Sequence, residues 1–276
     1  MGLRLGYNSN GFASHGFEDA LPLLADHGYE VVAITPDVGH LDPRYSTPEE
    51  VRAVGQRCQD LKLEIVVESG ARFALDPRRK HRPNLLELDD SKDIRLKYLR
   101  HLIEWCDLLG AGVLSFWSGV LPEGQTPQGA TGRLVDACGN LGQLAERYGV
   151  QLALEPEPGH FIDTVAAWNQ FREGYSPPVS LAFDVGHALA TEEGEPHAIL
   201  AENAGHIISL QLDDMARGEH RHLGPGEGDM DWESLAGAVQ ALESDVPACW
   251  ELSRDSHRFH ELAPAAADFS REKGLI

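Results

Sequence analysis

Short apolar runs alternate with longer amphipathic stretches along the whole chain. The runs are rich in Val, Ile, Leu, Phe and Trp, and a bounded run of that kind predicts a β-strand. Between the runs, apolar residues recur every three or four positions, which is typical of helices that bury one face. The eight predicted strands are 3–8, 29–35, 63–69, 112–118, 150–155, 179–184, 206–213 and 248–253.

Several of the amphipathic stretches carry the signals that begin and end helices. Acids open the stretch at 17–27, which ends before Gly28. A Ser/Thr cap followed by Pro opens the helix predicted within 46–61. Further helices are predicted at 93–109 and at 133–148. Helices therefore separate the predicted strands.

This order of elements predicts an α/β fold, a single-domain (β/α)8 TIM barrel that takes up residues 1–276. The length suits one large domain. Two long loops interrupt the alternation of strands and helices, at 71–92 after the third strand and at 217–228 after the seventh. Both follow the carboxyl ends of strands, which is the face where such barrels build their active sites.

The last four predicted strands each end in a polar residue of the same phase. Side chains alternate between the two faces of a strand. Apolar residues at the alternate positions of these strands, Ile208 among them, are therefore expected to face the helices. An eight-stranded barrel is only wide enough inside for side chains, so the inward polar groups are expected to meet. They are Glu155, Asp184, Gln211 and Glu251.

Three carboxylates at one point would repel each other and lose hydration, and a divalent cation removes that conflict. The ligands are all oxygen atoms, which favours Mg²⁺ or Mn²⁺ and leaves Co²⁺ and Zn²⁺ open as softer alternatives. A single acid at a strand end is more often a helix cap or a solvated loop residue. Four polar residues in matching phase on successive strands instead predict one divalent cation as the cofactor.

Composition limits the classes of binding partner that the chain can have. The chain has 44 acids against 23 Lys and Arg, a formal net charge of −21, which disfavours nucleic acid and anionic membrane surfaces. No apolar stretch resembles a membrane span or the core of a signal peptide. The four cysteines have no CxxC spacing and a chain of this size needs no disulfides, so we expect the protein to be located in the reducing cytoplasm. The expected partner is a small molecule, and a homo-oligomer is left open.

The second half of the chain resembles the xylose-isomerase-like TIM-barrel superfamily. The resemblance rests on LALEPEPG, LAFDVGH, GPGEGDMDW and WELS, between about residues 150 and 253. It implies Glu155, Asp184, Gln211 and Glu251 as metal ligands, with Glu155 and Glu251 as the catalytic pair. Epimerase members have His where this chain has Gln211. A Gln there resembles hydroxypyruvate isomerase, and its amide oxygen can still bind a hard cation.

The resemblance also implies residues that contact the substrate. His187 completes a D-x-x-H motif, and Arg217 stands six residues after Gln211, as in the epimerases. His222, in the loop after the seventh strand, and Trp117, at the end of the fourth, are further candidates for the pocket. For each of these residues the alternative is a packing, structural or surface role.

A basic cluster at 78–82 stands out in this acidic chain. Two interpretations are open for it. The cluster holds a phosphate or carboxylate of the substrate, or it is a solvated run that balances the acids nearby, and the second is slightly favoured.

The implied activity is that of a divalent-metal-dependent isomerase or epimerase of a small keto-sugar or hydroxy-keto acid. Moving a proton between carbons beside a carbonyl needs a base and an acid, which Glu155 and Glu251 would supply. The metal would polarise the substrate oxygens and so stabilise an enediolate. The alternatives are an inosose-type dehydratase on the same site and a non-catalytic ligand-binding barrel. An apurinic-site nuclease is disfavoured by the net charge and by the few histidines at strand ends.

Overall fold

The computed structural model describes residues 3–191, 193–240, 242 and 245–276. Its parallel strands pair in chain order, and the first also pairs with the last, so the sheet closes into a barrel. The strands are β1 (Leu3–Asn8), β2 (Val31–Ile34), β3 (Glu64–Glu68), β4 (Val113–Trp117), β5 (Gln151–Glu155), β6 (Ser180–Asp184), β7 (Ile207–Leu212) and β8 (Val246–Trp250). The predicted TIM barrel is confirmed.

Helices follow the strands and form the outer layer. They are α1 (Phe17–Asp26), α2 (Pro48–Asp60), α3 (Lys92–Leu109), α4 (Pro127–Tyr148), α5 (Val165–Tyr175), α6 (Val185–Ala190), α7 (Pro196–Asn203), α8 (Trp232–Val239) and α9 (Phe259–Glu272). The cap predicted for α2 is Thr47, which forms a reciprocal capping box with Glu50. Within the part of the chain that the structure describes, no helix is long and apolar enough to cross a bilayer.

Two apolar layers hold the barrel together. The larger one lies between strands and helices and buries residues such as Leu154, Phe183 and Trp250. A smaller cluster fills the barrel interior with Val31, Ala33, Val66, Val113 and Cys249. Several members of this inner cluster lie two positions before a polar residue, so a polar layer follows the apolar one toward the carboxyl ends of the strands.

Strand β7 departs from regular alternation at one position. Against β6, Leu181 pairs with Ile207, and the next residue, Ala182, pairs with Ser209. Ile208 is thus an extra, bulged residue, and it packs against the inner cluster. The prediction that Ile208 faces the helices is therefore wrong. The register recovers beyond the bulge, where Asp184 pairs with Gln211.

Candidate metal and substrate site

A cavity of about 310 Å³ opens at the carboxyl ends of the strands. This is the face predicted from the two long loops, and the volume suits a small molecule. Its lining includes the predicted residues Trp117, Glu155, His187, His222 and Glu251. The other two predicted ligands, Asp184 and Gln211, do not line the cavity. They are buried, with 1% and 0% of their surface exposed.

Three of the four predicted ligands converge. Glu155, Asp184 and Glu251 each place one carboxylate oxygen so that all three lie within 4.8 Å of one another. Glu155 ends β5, Asp184 ends β6, and Glu251 directly follows β8. Gln211 stands next to Asp184 in the β6–β7 pairing. The barrel therefore brings together the four polar strand ends.

Asp184 is fixed by the helix that it begins. Its Oδ1 atom accepts hydrogen bonds from the backbone N–H groups of Gly186, at 2.8 Å, and His187, at 3.0 Å, and so caps α6. Glycine is favoured at 186, because a Cβ atom there would clash with the buried carboxylate of Asp213 and would lie 2.9 Å from the side chain of Met215. This capping leaves Oδ2 of Asp184 buried without a hydrogen-bond partner among the described residues.

Gln211 presents a second unpartnered oxygen. Its Nε2 atom donates to Oε1 of Glu68 at 3.2 Å, while its own Oε1 is buried and accepts no hydrogen bond from the described residues. Leaving a buried acceptor unsatisfied costs about 1–3 kcal/mol. Two such oxygens beside a cluster of carboxylates are the donor set that a hard divalent cation requires, so these residues fit the predicted metal.

The two predicted catalytic glutamates are each held by a neutral donor. Trp117 donates from Nε1 to Oε2 of Glu155 at 2.9 Å. Asn10 donates from Nδ2 to Oε1 of Glu251 at 2.8 Å. These bonds fix the two carboxylates without neutralising their charge, which keeps both groups able to bind a cation or exchange a proton.

His187 lies between the carboxylates and is nearly fully buried. Its Nδ1 atom is 3.0 Å from the carbonyl oxygen of Pro156, which can only accept, so Nδ1 carries the proton and Nε2 is a free acceptor. Nε2 stands 3.6 Å from Oδ2 of Asp184 and 3.7 Å from Oε2 of Glu157. Burial, together with His222 and His220, lowers the pKa of His187 well below its ordinary value.

The packed acids perturb one another. Burial is the largest cause that raises the pKa of Glu155 and of Asp184 well above their ordinary values, and repulsion from neighbouring acids adds to it. For Glu68 and Glu157, burial and then the charge of Glu251 raise the pKa to about 8. Strongly raised pKa values of this kind cluster at functional sites, where a bound cation or proton chemistry uses the acids.

His222 forms an ion pair with a buried acid. Its Nδ1 atom pairs with Oδ2 of Asp213, a residue with 0% exposure. Burial lowers the pKa of His222, but the charges of Asp213, Glu251 and Asp184 and the hydrogen bond to Asp213 together outweigh burial and raise that pKa to about 10. His222 therefore presents a cationic ring to the cavity while this pair persists.

These shifts predict how the stability of the metal-free protein depends on pH. Glu68 and Glu157 have pKa values of about 8 in the fold against an ordinary 4.5, so the folded chain keeps protons that the unfolded chain releases. His222, with a pKa of about 10 against 6.5, has the same effect. Histidines with lowered pKa values, such as His81 at about 3, oppose the trend, but their effect fades above the ordinary histidine pKa of 6.5. The free energy of unfolding should therefore fall between pH 6.5 and pH 8.

Thermal unfolding in a chelator-treated sample checks this directly. We expect Tm to fall from pH 6.5 to pH 8, the window set by those pKa values. Saturating Mn²⁺ should reduce or reverse the fall, because deprotonated ligands bind the ion more tightly. A metal-free Tm that rises across this window would contradict the assigned shifts.

The structure does not bring Arg217 to the cavity. Its Nη2 atom lies 2.6 Å from Oε1 of Glu195, just before α7, and Arg217 is not part of the cavity lining. The basic cluster of the strand-3 loop is divided. Arg79 and Arg82 pair with acids of the same loop, whereas Lys80 lines the cavity.

Sequence reasoning missed several residues of this site. Glu68 ends β3 in the same inward phase as the predicted ligands, two positions after Val66, and this signal could have found it. Asp213 stands two positions after Gln211 and could have been found in the same way. Asn10 and His220 come from a 3-10 turn and a loop, and no periodic signal points to them.

Comparison with known proteins places the chain in a family. A family model described as xylose isomerase-like TIM barrel matches residues 21–273. A search of the curated proteins finds no significant match to the sequence.

Solved structures show the same fold at low sequence identity. L-ribulose 3-epimerase is 20% identical with a TM-score of 0.80, and the match covers 99% of this chain and 94% of that one. D-allulose 3-epimerase from Methylomonas sp., in complex with D-allulose, is 18% identical with a TM-score of 0.76, covering 99% and 97%. An IolI protein with a bound zinc atom is 18% identical with a TM-score of 0.75, covering 98% and 96%. By its family match, the chain belongs to the xylose isomerase-like TIM barrel family.

Proposed function

We propose that this protein is a divalent-metal-dependent isomerase or epimerase of a small keto-sugar or hydroxy-keto acid. The observation that carries the proposal is the convergence of Glu155, Asp184 and Glu251 within 4.8 Å, beside the unpartnered amide oxygen of Gln211. Solved structures of similar shape are those of ketose 3-epimerases, one of them in complex with D-allulose, which supports the substrate class.

Glu155, Asp184, Gln211 and Glu251 would hold the cation. When bound, it would supply a Lewis acid that polarises the oxygens of the substrate. The oxygen donors favour Mg²⁺ or Mn²⁺. The zinc atom in the IolI structure keeps Zn²⁺ open.

Glu155 and Glu251 would carry the proton chemistry. They come from β5 and from the end of β8, so a substrate between them has one carboxylate on each side. One glutamate would remove the proton from the carbon beside the carbonyl. Epimerisation follows when the other glutamate returns a proton to the opposite face of that carbon. Isomerisation follows when the proton is delivered to the neighbouring, former carbonyl carbon and the hydroxyl proton passes to the former carbonyl oxygen. Substrate geometry thus decides between the two reactions.

The remaining lining residues would orient the substrate and exclude water. His187 offers the neutral acceptor Nε2, and His222 offers a cationic ring. Trp117 forms a wall and holds Glu155 through its indole N–H group. Arg217 has no part in this proposal, because its guanidinium pairs with Glu195.

Proton exchange tests this function more directly than product formation alone. The Mn²⁺-loaded protein is incubated in D₂O with neutral ketoses, hydroxypyruvate and inosose, and NMR follows loss of the C–H signal beside the carbonyl. We expect exchange and an isomeric product with at least one ketose or keto acid, and neither with the Glu155→Gln variant. Loss of water to an unsaturated ketone would instead assign a dehydratase. Absence of exchange with every compound would contradict the proposal.

A further inference from the structure

We propose that the substrate carries an anionic group, a carboxylate or a phosphate, which Arg72, Lys80 and Arg254 bind at the mouth of the cavity. This inference rests on the proposed function, because it names the substrate class of the same site. The three cations come from two loops that are distant in sequence. Arg72 and Lys80 follow β3, and Arg254 follows β8, yet all three line one cavity with Glu155 and Glu251.

These cations converge although nothing in the described chain pairs with them. None of the three forms an ion pair with a described residue, whereas Arg79 and Arg82 of the same loop bind Asp76 at 2.7 Å and Glu87 at 2.6 Å. After burial, the neighbouring charges of Arg72 and Arg254 lower the pKa of Lys80, so both guanidinium groups lie close enough to repel the ammonium group of Lys80. Such an arrangement is favourable when an anion binds among them.

The acids on the cavity floor are the alternative partners for these cations. Glu157 and Glu251 do attract Lys80, since they act to raise its pKa. They form no ion pair with it, however, and Glu251 belongs to the set that would hold the metal. A ligand seated over the metal, with its anionic end toward the mouth, satisfies both charge groups at once.

Two matched substrate pairs test the proposal. Hydroxypyruvate differs from dihydroxyacetone by a carboxylate in place of a CH₂OH group, and D-ribulose 5-phosphate differs from D-ribulose by its phosphate. We expect kcat/KM for the anionic member of one pair to exceed that of its neutral partner by about 10- to 100-fold, the size of charge-assisted hydrogen bonds. The pair that responds distinguishes carboxylate from phosphate.

Variants locate the effect. Lys80→Met and Arg254→Met should shrink the advantage of the anionic member, while Arg78→Met, in the same loop but outside the cavity lining, should leave it unchanged. Neutral members that react as fast as the anionic ones would overturn the proposal. Calorimetry of hydroxypyruvate and inorganic phosphate separates this outcome from failure of the proposed function. Anion binding that Lys80→Met weakens supports the site even without turnover, and binding that the variant leaves unchanged overturns it.

A second observation concerns how Gln211 is oriented. We infer that Glu68 is a positioning residue, which binds the amide nitrogen of Gln211 and thereby turns the amide oxygen toward the metal. Asn8 also donates to Glu68, so the carboxylate accepts from two side chains that come from β1 and β7. Thr35, just after β2, donates from Oγ1 to Oδ1 of Asn8 at 2.7 Å and lies 3.3 Å from Oε2 of Glu68. All these groups are buried, which fixes the orientation of Glu68 and through it that of Gln211.

The affinity for Mn²⁺, measured by calorimetry, tests this role without any need for turnover. Glu68→Gln should weaken Mn²⁺ binding about 10- to 100-fold, the usual effect of losing such a supporting bond. Glu157→Gln is the matched control, because it also removes one carboxyl group of the cavity lining, here a half-buried one, but Glu157 has no hydrogen bond to Gln211. Equal weakening by both changes would show a mere charge effect and overturn the inference.

A crystal of the wild-type protein with Mn²⁺ keeps this inference testable if the variant does not fold. The amide nitrogen of Gln211 should remain within hydrogen-bond distance of Glu68, with the amide oxygen on the metal. A structure in which Glu68 has left the amide nitrogen would overturn the assignment, whatever the activity of the protein.

Discussion

Replacing Glu155 or Glu251 by Gln is expected to lower kcat about 10²- to 10⁴-fold, the range over which a general acid or base contributes. Each variant keeps the shape of the side chain but can no longer take up and return a proton. Steady-state kinetics on the substrate found by proton exchange measures the loss. Glu146→Gln, at an exposed position of α4, is the matched control and should keep the wild-type rate.

Stability separates a catalytic role of Glu155 from a structural one. Burial and neighbouring acids raise the pKa of this carboxyl, so its charged form is unfavourable in the metal-free fold. Glu155→Gln should therefore raise Tm of the metal-free protein at pH 8 while it lowers kcat. Loss of both activity and stability would indicate that Glu155 serves the fold instead.

Removal of the metal should have the second large effect. Chelation is expected to reduce turnover to the background rate, and Mn²⁺ should restore it, because the substrate oxygens then regain their polarising group. An ion at 100 times its Kd stabilises the folded state by about 2.7 kcal/mol. In a protein of this size that corresponds to a rise in Tm on the order of 5 °C or more.

The Asp184→Asn variant controls this experiment. Asn can still cap α6 through its side-chain oxygen, so the fold should persist, while one charged ligand is lost. We expect the rise in Tm with Mn²⁺ to shrink strongly in the variant. An equal rise in the variant and the wild type would place the ion elsewhere on this acidic protein.

The alternation of side chains along a strand explains which parts of the site could be predicted. Glu155, Asp184 and Gln211 stand at strand positions, where a period of two decides which face each side chain occupies. Glu251 follows the same phase one residue beyond β8. Glu68 obeys the same rule at the end of β3, so alternation along that strand also predicts an inward carboxylate there.

Residues on loops could not be placed in this way. Arg217 matches a sequence spacing, yet its position depends on the path of the β7 loop and on Glu195, which is 22 residues away. Lys80 and Arg254 meet only because the loops after β3 and β8 fold over the same cavity. The bulge at Ile208 is likewise a matter of pairing between strands, which periodicity within one strand does not reveal.

Anomalous diffraction from a crystal grown with Mn²⁺ tests the central claim most directly. We expect one strong peak at the carboxyl ends of the strands, inside the barrel, in contact with oxygen atoms of Glu155, Asp184, Gln211 and Glu251. A peak bound instead by His187, His220 and His222, whose ring nitrogens also lie within 4.8 Å of one another, would contradict it. A crystal grown at a saturating concentration of Mn²⁺ that holds no ion at these four residues would also contradict the proposed metal site.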